Sequence, residues 1–507
     1  MIEIRKTDSL DLTPEVDDQL SRMMSRIIHG DDSIIEGPLA KVPNIKEKFL
    51  KWFEAMQLKM PLQHNLLDVE NSNQDKFGPR SIALPWSDRI EGTEAYFEVS
   101  DGEIPDLQLP QTSTGRLRPL SLKIASDYIK RTTNSGLPYI AKKGKVLDEA
   151  VANFQQLLDR MDPCILFTRT QEQKKTRPVW GFPIADTLNE MMFYRPLLEH
   201  QKQSGYRAAV IGPEAVDTGV SKLMKFASEN NLQLVSIDFS AYDTSIRPEL
   251  SMLCFDYIKS LYQTSYHDNL DYIFERFVSI GLVTPDGIYT GEHGVPSGST
   301  FTNEIDSLVQ WIIAINYPGE KLVDFQIQGD DGLYAVTDPE KLMDWFTQFG
   351  LKVNKEKSLI SDDTAQYLQL TYNPMYEESG EFKGIYSVSR AFNRICYPER
   401  FTDFTRDDID GKSYFAIRAI SILENCKYHP WFEDFVRFIL EQDKYNLEIS
   451  EQSLTNYIKL RDKEDGRDIN FNIYQYGDYA RGIKSFASYE LVRKMIQNSL
   501  NTRVLSG

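Results

Sequence analysis

A chain of 507 residues is too long for one ordinary domain and long enough to bury a sizeable core, so several packed subdomains are expected. Hydrophobic content of 41% with 12% aromatic residues describes a globular protein and excludes a disordered one. The formal net charge of −18 argues at first against a polyanionic partner, which would be bound through Lys and Arg.

The opening residues, MIEIRKTDSLDLTPEV, lack the basic-then-apolar layout of a signal peptide, so export is not expected. No apolar run approaches the ~18–20 residues that cross a bilayer. The best, Trp311 to Ile315, is a helix-sized piece, and no membrane partner is expected. Cys164, Cys254, Cys396 and Cys426 are scattered without metal-ligand or disulfide-framework spacing, which fits a reducing compartment. Residues 1–115 are mixed and loop-rich, punctuated at PLQHN, FGPRSIALPW and DGEIPD. From 120 to 230, helical patterns such as LSLKIASDYIKR and LDEAVANFQQLLDRM alternate with extended pieces.

The charge changes sign locally in this stretch. Between Arg116 and Arg177 there are 13 Lys or Arg and 6 Asp or Glu, a basic channel or a solvated basic face inside an acidic protein. From 232 to 375 the texture becomes strand, helix, strand-turn-strand, helix, strand. After residue 400 the pattern is mostly helical, as in SYFAIRAISILENC and WFEDFVRFILEQ, with aromatics from Phe401 to Tyr445 read as core. A charged segment, RDKEDGRD, precedes a last amphipathic stretch.

Three constellations in the 232–375 region carry chemistry. In LQLVSIDFSAYDTSI, Leu234 to Ile237 form a short strand, Asp238 stands at its end, and Asp243 follows in a turn where it could also cap a helix. In DGIYTGEHGVPSGSTFTNEIDSLVQWIIAI, Pro285-Asp286-Gly287 marks a hairpin turn. Gly294 to Ser299 then form a small-residue loop running into a helix that begins near Thr302, with Asp306 on the same face as Thr302. In VDFQIQGDDGLYAV, the turn Gly329, Asp330, Asp331, Gly332 separates two apolar strands. Asp-Gly also closes ordinary hairpins, so this tetrad gains meaning only from Asp238. Carboxylates converging from two strands can bridge two Mg²⁺ ions and align an attacking hydroxyl with a triphosphate.

In the order D-x4-D, SG-x3-T-x3-D, GDD, these stretches resemble motifs A, B and C of viral RNA-dependent RNA polymerases, and the wording DFSAYD, GVPSGSTFTNEID and QGDDG is most similar to those of picobirnaviruses and partitiviruses. TTNSGLPY at 132–139 resembles the template-entrance motif G, and RTQEQKKTRPVWG at 169–181 resembles motif F. FGLKVNKEKS at 349–358 is similar to motif D and QYLQLTYNP at 366–374 to the motif E hairpin.

The resemblance implies an α+β right-hand polymerase whose antiparallel palm sheet is flanked by helices and enclosed by fingertips. It places the fingers at 1–230 with a return segment at 265–295, the palm at 231–264 and 296–400, and the thumb at 401–507. The implied activity is template-directed addition of ribonucleoside monophosphates to an RNA 3′ end with release of pyrophosphate. Asp238, Asp330 and Asp331 would be ligands for two Mg²⁺ or Mn²⁺ ions, with Asp331 secondary. Arg169, Lys174, Lys175 and Arg177 would line the NTP tunnel, Lys357 would be a general acid for pyrophosphate, and Thr133, Ser135, Gly136 and Pro138 would meet template RNA. Ser297 and Thr302 match ribose-reading positions.

Reverse transcriptases usually carry a bulky aromatic near the position of Asp243, so a carboxylate there favours ribonucleotides. Asp306 stands where many positive-strand RNA virus polymerases have Asn, and an ionised Asp accepts but cannot donate. Expected partners are RNA, NTPs and a viral capsid protein, in the virion interior and host cytoplasm. The alternatives are a reverse transcriptase and a catalytically silent RNA-binding or capsid-associated protein. Gly411-Lys412-Ser413 ends like a P-loop, but Arg406 stands where that motif demands Gly, and the six histidines show no metal-binding or triad pattern.

Overall fold

The computed structural model describes residues 2–98, 103–111, 115–404, 407–465 and 482–505. Strand β1 (Glu3–Arg5) opens the chain, and helices α1 (Ile45–Lys59) and α2 (His64–Asp75) follow. Strands β2 (Cys164–Thr170) and β3 (Thr176–Gly181) form an antiparallel hairpin in which Arg169 lies opposite Arg177. Gly181 is required by packing, because a Cβ there would meet the Phe167 ring at 2.3 Å. Helix α3 (Ile184–Gln201) is buried on nearly every side, which explains its lack of an amphipathic period. Its Asp186 pairs with buried Arg276 at 2.8 Å. The helical pattern expected at 120–131 is realised only over Leu122–Ser126, because the chain then turns through Thr132 and Thr133 into a buried loop around Ser135.

The second half holds the palm sheet. It comprises β4 (Gln233–Ile237), helix α4 (Pro248–Leu261), the hairpin β5 (Leu282–Thr284) and β6 (Gly287–Thr290), helix α5 (Thr302–Ile315), β7 (Phe325–Gln328), β8 (Asp331–Val336) and β9 (Leu359–Ser361). One sheet runs β1-β6-β5-β2-β3 and the other β7-β8-β4-β9, the latter antiparallel throughout. Helix α5 packs on the four-stranded sheet and α4 packs on α5, and their apolar residues share one core with β4, β7 and β8. The 366–374 segment is a hairpin, Ala365–Tyr367 against Leu370–Tyr372, turned by Leu368 and Gln369 at φ 51° and 63°.

Helices α6 (Val388–Cys396), α7 (Gly411–Glu424) and α8 (Phe432–Gln442) complete a second core. It is shared with α1 and α2 from the other end of the chain: Phe49 stacks on Phe392 at 4.1 Å, and Phe53 meets Trp431 edge-on at 4.9 Å. Most aromatics of the 401–445 stretch are core as expected, but Phe401 is 73% exposed. All four cysteines are buried free thiols. The charged RDKEDGRD segment runs beyond the described residues at its C-terminal end.

Candidate active site

Register alone brings the aspartates together. β4 pairs with β8 so that Ile237 faces Gly332, and the next step of the same register sets Asp238 opposite Asp331. β7 and β8 are joined by only two residues, Gly329 and Asp330, since Gln328 already faces Asp331. Gly329 takes φ 61°, as the first residue of so short a loop demands. The four-residue turn read from sequence is thus tighter: Asp330 is at its tip, and Asp331 begins a strand.

Helix α5 holds this tip through three residues at helical spacing. Ser307 Oγ accepts the Gly329 N–H at 2.8 Å, Gln310 Nε2 donates to the Gly329 carbonyl at 2.7 Å, and Asn303 Oδ1 accepts Gln328 Nε2 at 2.7 Å. Tyr334 O–H donates to Gln310 Oε1 at 2.8 Å, and a Cβ on Gly332 would lie 2.3 Å from that oxygen. Sequence reading missed Asn303, Ser307 and Gln310, although their i, i+4, i+7 spacing behind Thr302 was a usable signal.

Asp238 is fixed from the other side. Ser358 Oγ accepts its N–H at 3.0 Å, and its carbonyl accepts Asn354 N–H at 2.8 Å, which brings the 353–358 segment and Lys357 beside it. Burial raises the Asp238 carboxyl and Asp330 adds to the shift, while Lys357 and Lys175 oppose it. Burial, with Asp330 and Asp238 next to it, pushes Asp331 up to about 8. Asp330 and Asp331 are therefore inequivalent.

The donor set fits a hard divalent cation: it is all carboxylate oxygen, and mutual repulsion is what a cation would relieve. Among the described residues no three His, Cys, Asp or Glu side chains are grouped to hold an ion unaided. Mg²⁺ normally takes one or two carboxylates and completes its shell with phosphate and water.

The residues matched from sequence to ribose-reading positions lie one layer deeper. Asp243 sits in a short helix, Tyr242–Ser245, and does not cap α4, which Arg247 precedes without a side-chain cap. Burial and then Asp330 push Asp243 up to about 6, against a hydrogen bond with Ser297 and the charge of Arg177. Thr302 Oγ1 donates to Pro296 O at 3.0 Å and accepts Gly298 N–H at 3.3 Å, so it braces its own loop. Asp306 is buried, one carboxyl oxygen has no partner, and Tyr242 O–H donates to its backbone carbonyl at 2.9 Å. Burial, then Asp243 and Asp330, push its carboxyl well above the ordinary range. The upward shift favours the protonated carboxyl over the ionised, acceptor-only form considered from sequence, and a protonated Asp306 has an O–H to donate.

Of the cations, Lys175 and Arg177 reach the acidic edge electrostatically, Lys175 toward Asp238 and Asp330, Arg177 toward Asp243. Lys174 is exposed at the hairpin tip with φ 57°, and Arg169 Nε lies 3.7 Å from Glu399. Buried Arg80 joins that network, with Nε 2.8 Å from Glu172 at the hairpin tip and an Nη 3.3 Å from Glu399. Lys76, which sequence reading missed, stands near Arg390 and Lys357; burial and those two charges lower its pKa.

In the 132–139 loop, Thr133 is exposed and Pro138 half-buried, but Ser135 is fully buried. Ser135 Oγ donates to Gly136 O and accepts Ala141 N–H, so its side chain is spent on shaping the loop. Gly136 packs so tightly that a Cβ would meet Phe182 O at 2.5 Å.

Two aspartate-bearing strands at one edge of an antiparallel sheet, faced by a cationic hairpin and a small-residue loop, define a nucleotide polymerase of the right-hand class. Residues 108–440 match the viral RNA-dependent RNA polymerase family, and the chain belongs to that family. The potential RNA-dependent RNA polymerase of a human picobirnavirus is 26% identical over 464 residues, covering 84% of this chain and 86% of that one. The RNA-directed RNA polymerase of Cryptosporidium parvum virus 1 is 24% identical over 269 residues, 45% of this chain and 49% of that one. Among solved structures, the human picobirnavirus polymerase superposes with a TM-score of 0.77 at 24% identity, covering 96% of this chain and 99% of that one. Its insertion-loop deletion mutant gives 0.78 with the same identity and coverage.

The expected right-hand fold and RNA-directed RNA polymerase activity are borne out. Membership implies an RNA template, NTPs and divalent metal. No helix among the described residues is long and apolar enough to cross a membrane.

Proposed function

We propose that the chain transcribes and replicates a double-stranded RNA genome, with Asp238 and Asp330 as principal ligands for two Mg²⁺ or Mn²⁺ ions and Asp331 as a secondary one. The observation that carries this reading is the strand register that sets Asp238 against the Gly329-Asp330 tip, with Lys175 and Lys357 beside the two carboxylates. Bound divalent metal supplies charge neutralisation and a more acidic 3′-hydroxyl. Phosphoryl transfer asks little covalent chemistry of the protein, so the remaining work is placement and charge.

Lys175 and Arg177, with Arg169 and Lys174 further along the hairpin, neutralise the arriving triphosphate. Lys357 gives a proton to the departing pyrophosphate oxygen, a role its place beside Asp238 supports. Asp243 and Ser297, already hydrogen-bonded to each other, meet the ribose hydroxyls, with Thr302 shaping the loop and Asp306 behind them. Thr133 and Pro138 contact template as it enters, and Gly136 with Ser135 sets the loop's shape. The fingers, palm and thumb follow the partition drawn from sequence, with α1 packed on the thumb through Phe53 and Trp431 and α2 on α6 at the end of the palm. A capsid protein as partner, and action inside the virion and host cytoplasm, rest on likeness to virus polymerases alone.

Extension of single-stranded and double-stranded RNA, with and without primer, in Mg²⁺ and in Mn²⁺, tests the reading. NTP incorporation that survives both Asp238→Ala and Asp330→Ala would refute the metal assignment.

A further inference from the structure

Glu190 lies on α3, outside the acidic edge, and is 3% exposed. No step above uses it. Both of its oxygens are engaged by the small-residue loop: Oε1 accepts Ser299 Oγ–H and Oε2 accepts Thr300 N–H, each at 2.7 Å. A carboxyl is buried this deeply only where specific donors meet it. Burial pushes Glu190 up to about 7, and the two loop donors pull the other way. Lys143, from the helix that follows the 132–139 loop, stands within electrostatic reach of it.

The opposite side of the loop is held by β3. Trp180 N–H donates to Ser297 O at 2.9 Å, and a Cβ on Gly298 would lie 2.0 Å from Trp180 O. Residues 296–300 are thus clamped between a strand and a helix. Ser299 turns into the clamp, while Ser297, two residues back, turns toward Asp243. Removing the α3 side leaves Ser297 held by the strand and by the Thr302 brace on Pro296 and Gly298, with its C-terminal flank at Ser299 and Thr300 released from α3.

We propose that Glu190 is a positioning residue that fixes the Pro296–Thr300 loop and thereby sets Ser297 for ribose recognition. The inference rests on the reading of Ser297 as a ribose contact, and its test separates the two. Gln can reproduce both hydrogen bonds, with Oε1 accepting from Thr300 N–H and Nε2 donating to a rotated Ser299 hydroxyl; Ala can reproduce neither.

The full-length enzyme carrying Glu190→Ala, Glu190→Gln, Ser299→Ala or Ser297→Ala is assayed for KM, kcat and the NTP-to-dNTP preference, with thermal melting in parallel. Glu190→Ala is expected to raise the KM for NTP about tenfold and to lower the NTP-to-dNTP preference, with kcat changed far less. Ser299→Ala should move both in the same direction by less, and it decides the matter if Glu190→Ala does not fold. Glu190→Gln should restore wild-type KM and preference. The proposal is overturned if Ser297→Ala lowers the preference while Glu190→Ala and Ser299→Ala leave it alone, or if Glu190→Gln fails as badly as Glu190→Ala. A preference unmoved by Ser297→Ala overturns the ribose reading itself, and the role of Glu190 with it.

Discussion

The acidic edge and the cationic hairpin face each other across the site but are built by different means. The aspartates are placed by backbone: strand register sets Asp238 and Asp331 opposite each other, and a two-residue loop pinned by Ser307 and Gln310 sets Asp330. The cations are placed by side chains on a projecting β2–β3 hairpin, where Lys174, Lys175 and Arg177 are exposed and the tip is anchored through Arg80, Glu172 and Glu399. Groups that must hold a metal in one geometry are fixed by main chain at a sheet edge, and groups that follow a moving triphosphate sit on long, solvated arms.

That contrast predicts unequal sensitivities. Asp330→Ala or Asp238→Ala should reduce nucleotide incorporation by about 10³-fold or more while RNA binding, measured by filter retention, persists. Activity within tenfold of wild type would show that the acidic edge is not where the chemistry happens. Arg80→Ala comes next, because it removes the guanidinium that bridges Glu172 and Glu399, each about one-seventh exposed, and leaves Glu399 only the longer contact with Arg169. Breaking such a pair costs about 3 kcal/mol. The melting temperature should fall and the KM for NTP rise, with kcat less affected. An unchanged KM would mean that the hairpin needs no tether. Gln310→Ala should cost about 1–3 kcal/mol by leaving the Gly329 carbonyl and the Tyr334 hydroxyl unpaired, and should weaken Mg²⁺ activation in a metal titration. Lost stability with unaltered metal dependence would confine Gln310 to a packing role.

Glu190→Gln supplies a pH test. The wild-type carboxyl is raised from its ordinary 4.5 to about 7 by burial, so the folded state holds a proton that the unfolded chain has released. Stability from the neutral carboxyl is therefore complete below pH 4.5 and is lost as pH rises through 7. The Gln variant should lack this decline, an effect of about 1–3 kcal/mol between those limits in denaturant melts. Parallel curves for the two proteins would contradict it.

How much of this was legible in the sequence depended on distance along the chain. Asp238 ending its strand, the Asp330 turn and the helix from Thr302 were readable because each is set by contiguous residues, and motif order joined them. The brace of Asn303, Ser307 and Gln310 was not read, since polar residues on a buried helix face look like interruptions until the turn they serve is in place. The shared core of α1, α2 and the C-terminal helices escaped as well: Phe49 and Phe392 are far apart in sequence, and no local period reports such a contact. The burial of Ser135 was not legible either, because a motif match does not reveal which way a side chain turns.

Asp306 gives the smallest and most discriminating effect. From sequence, Asp in place of Asn looked like a lost donor; in the fold, burial and the carboxyl of Asp243 raise its pKa and so favour the protonated form, whose O–H can do what an amide N–H does. Asp306→Asn should therefore retain polymerisation near neutral pH, with ribose selectivity altered by about threefold or less. The two proteins should part as pH rises. The folded-state pKa is raised, so the neutral form of the wild type is lost as pH climbs through it, removing the donor and setting a second charge against Asp243; Asn has no proton to lose. Ribose selectivity measured across rising pH should drift in the wild type and stay flat in the variant. A folded but inactive Asp306→Asn would show that the carboxyl is needed as an acid or an anion, and that its likeness to Asn is only one of shape.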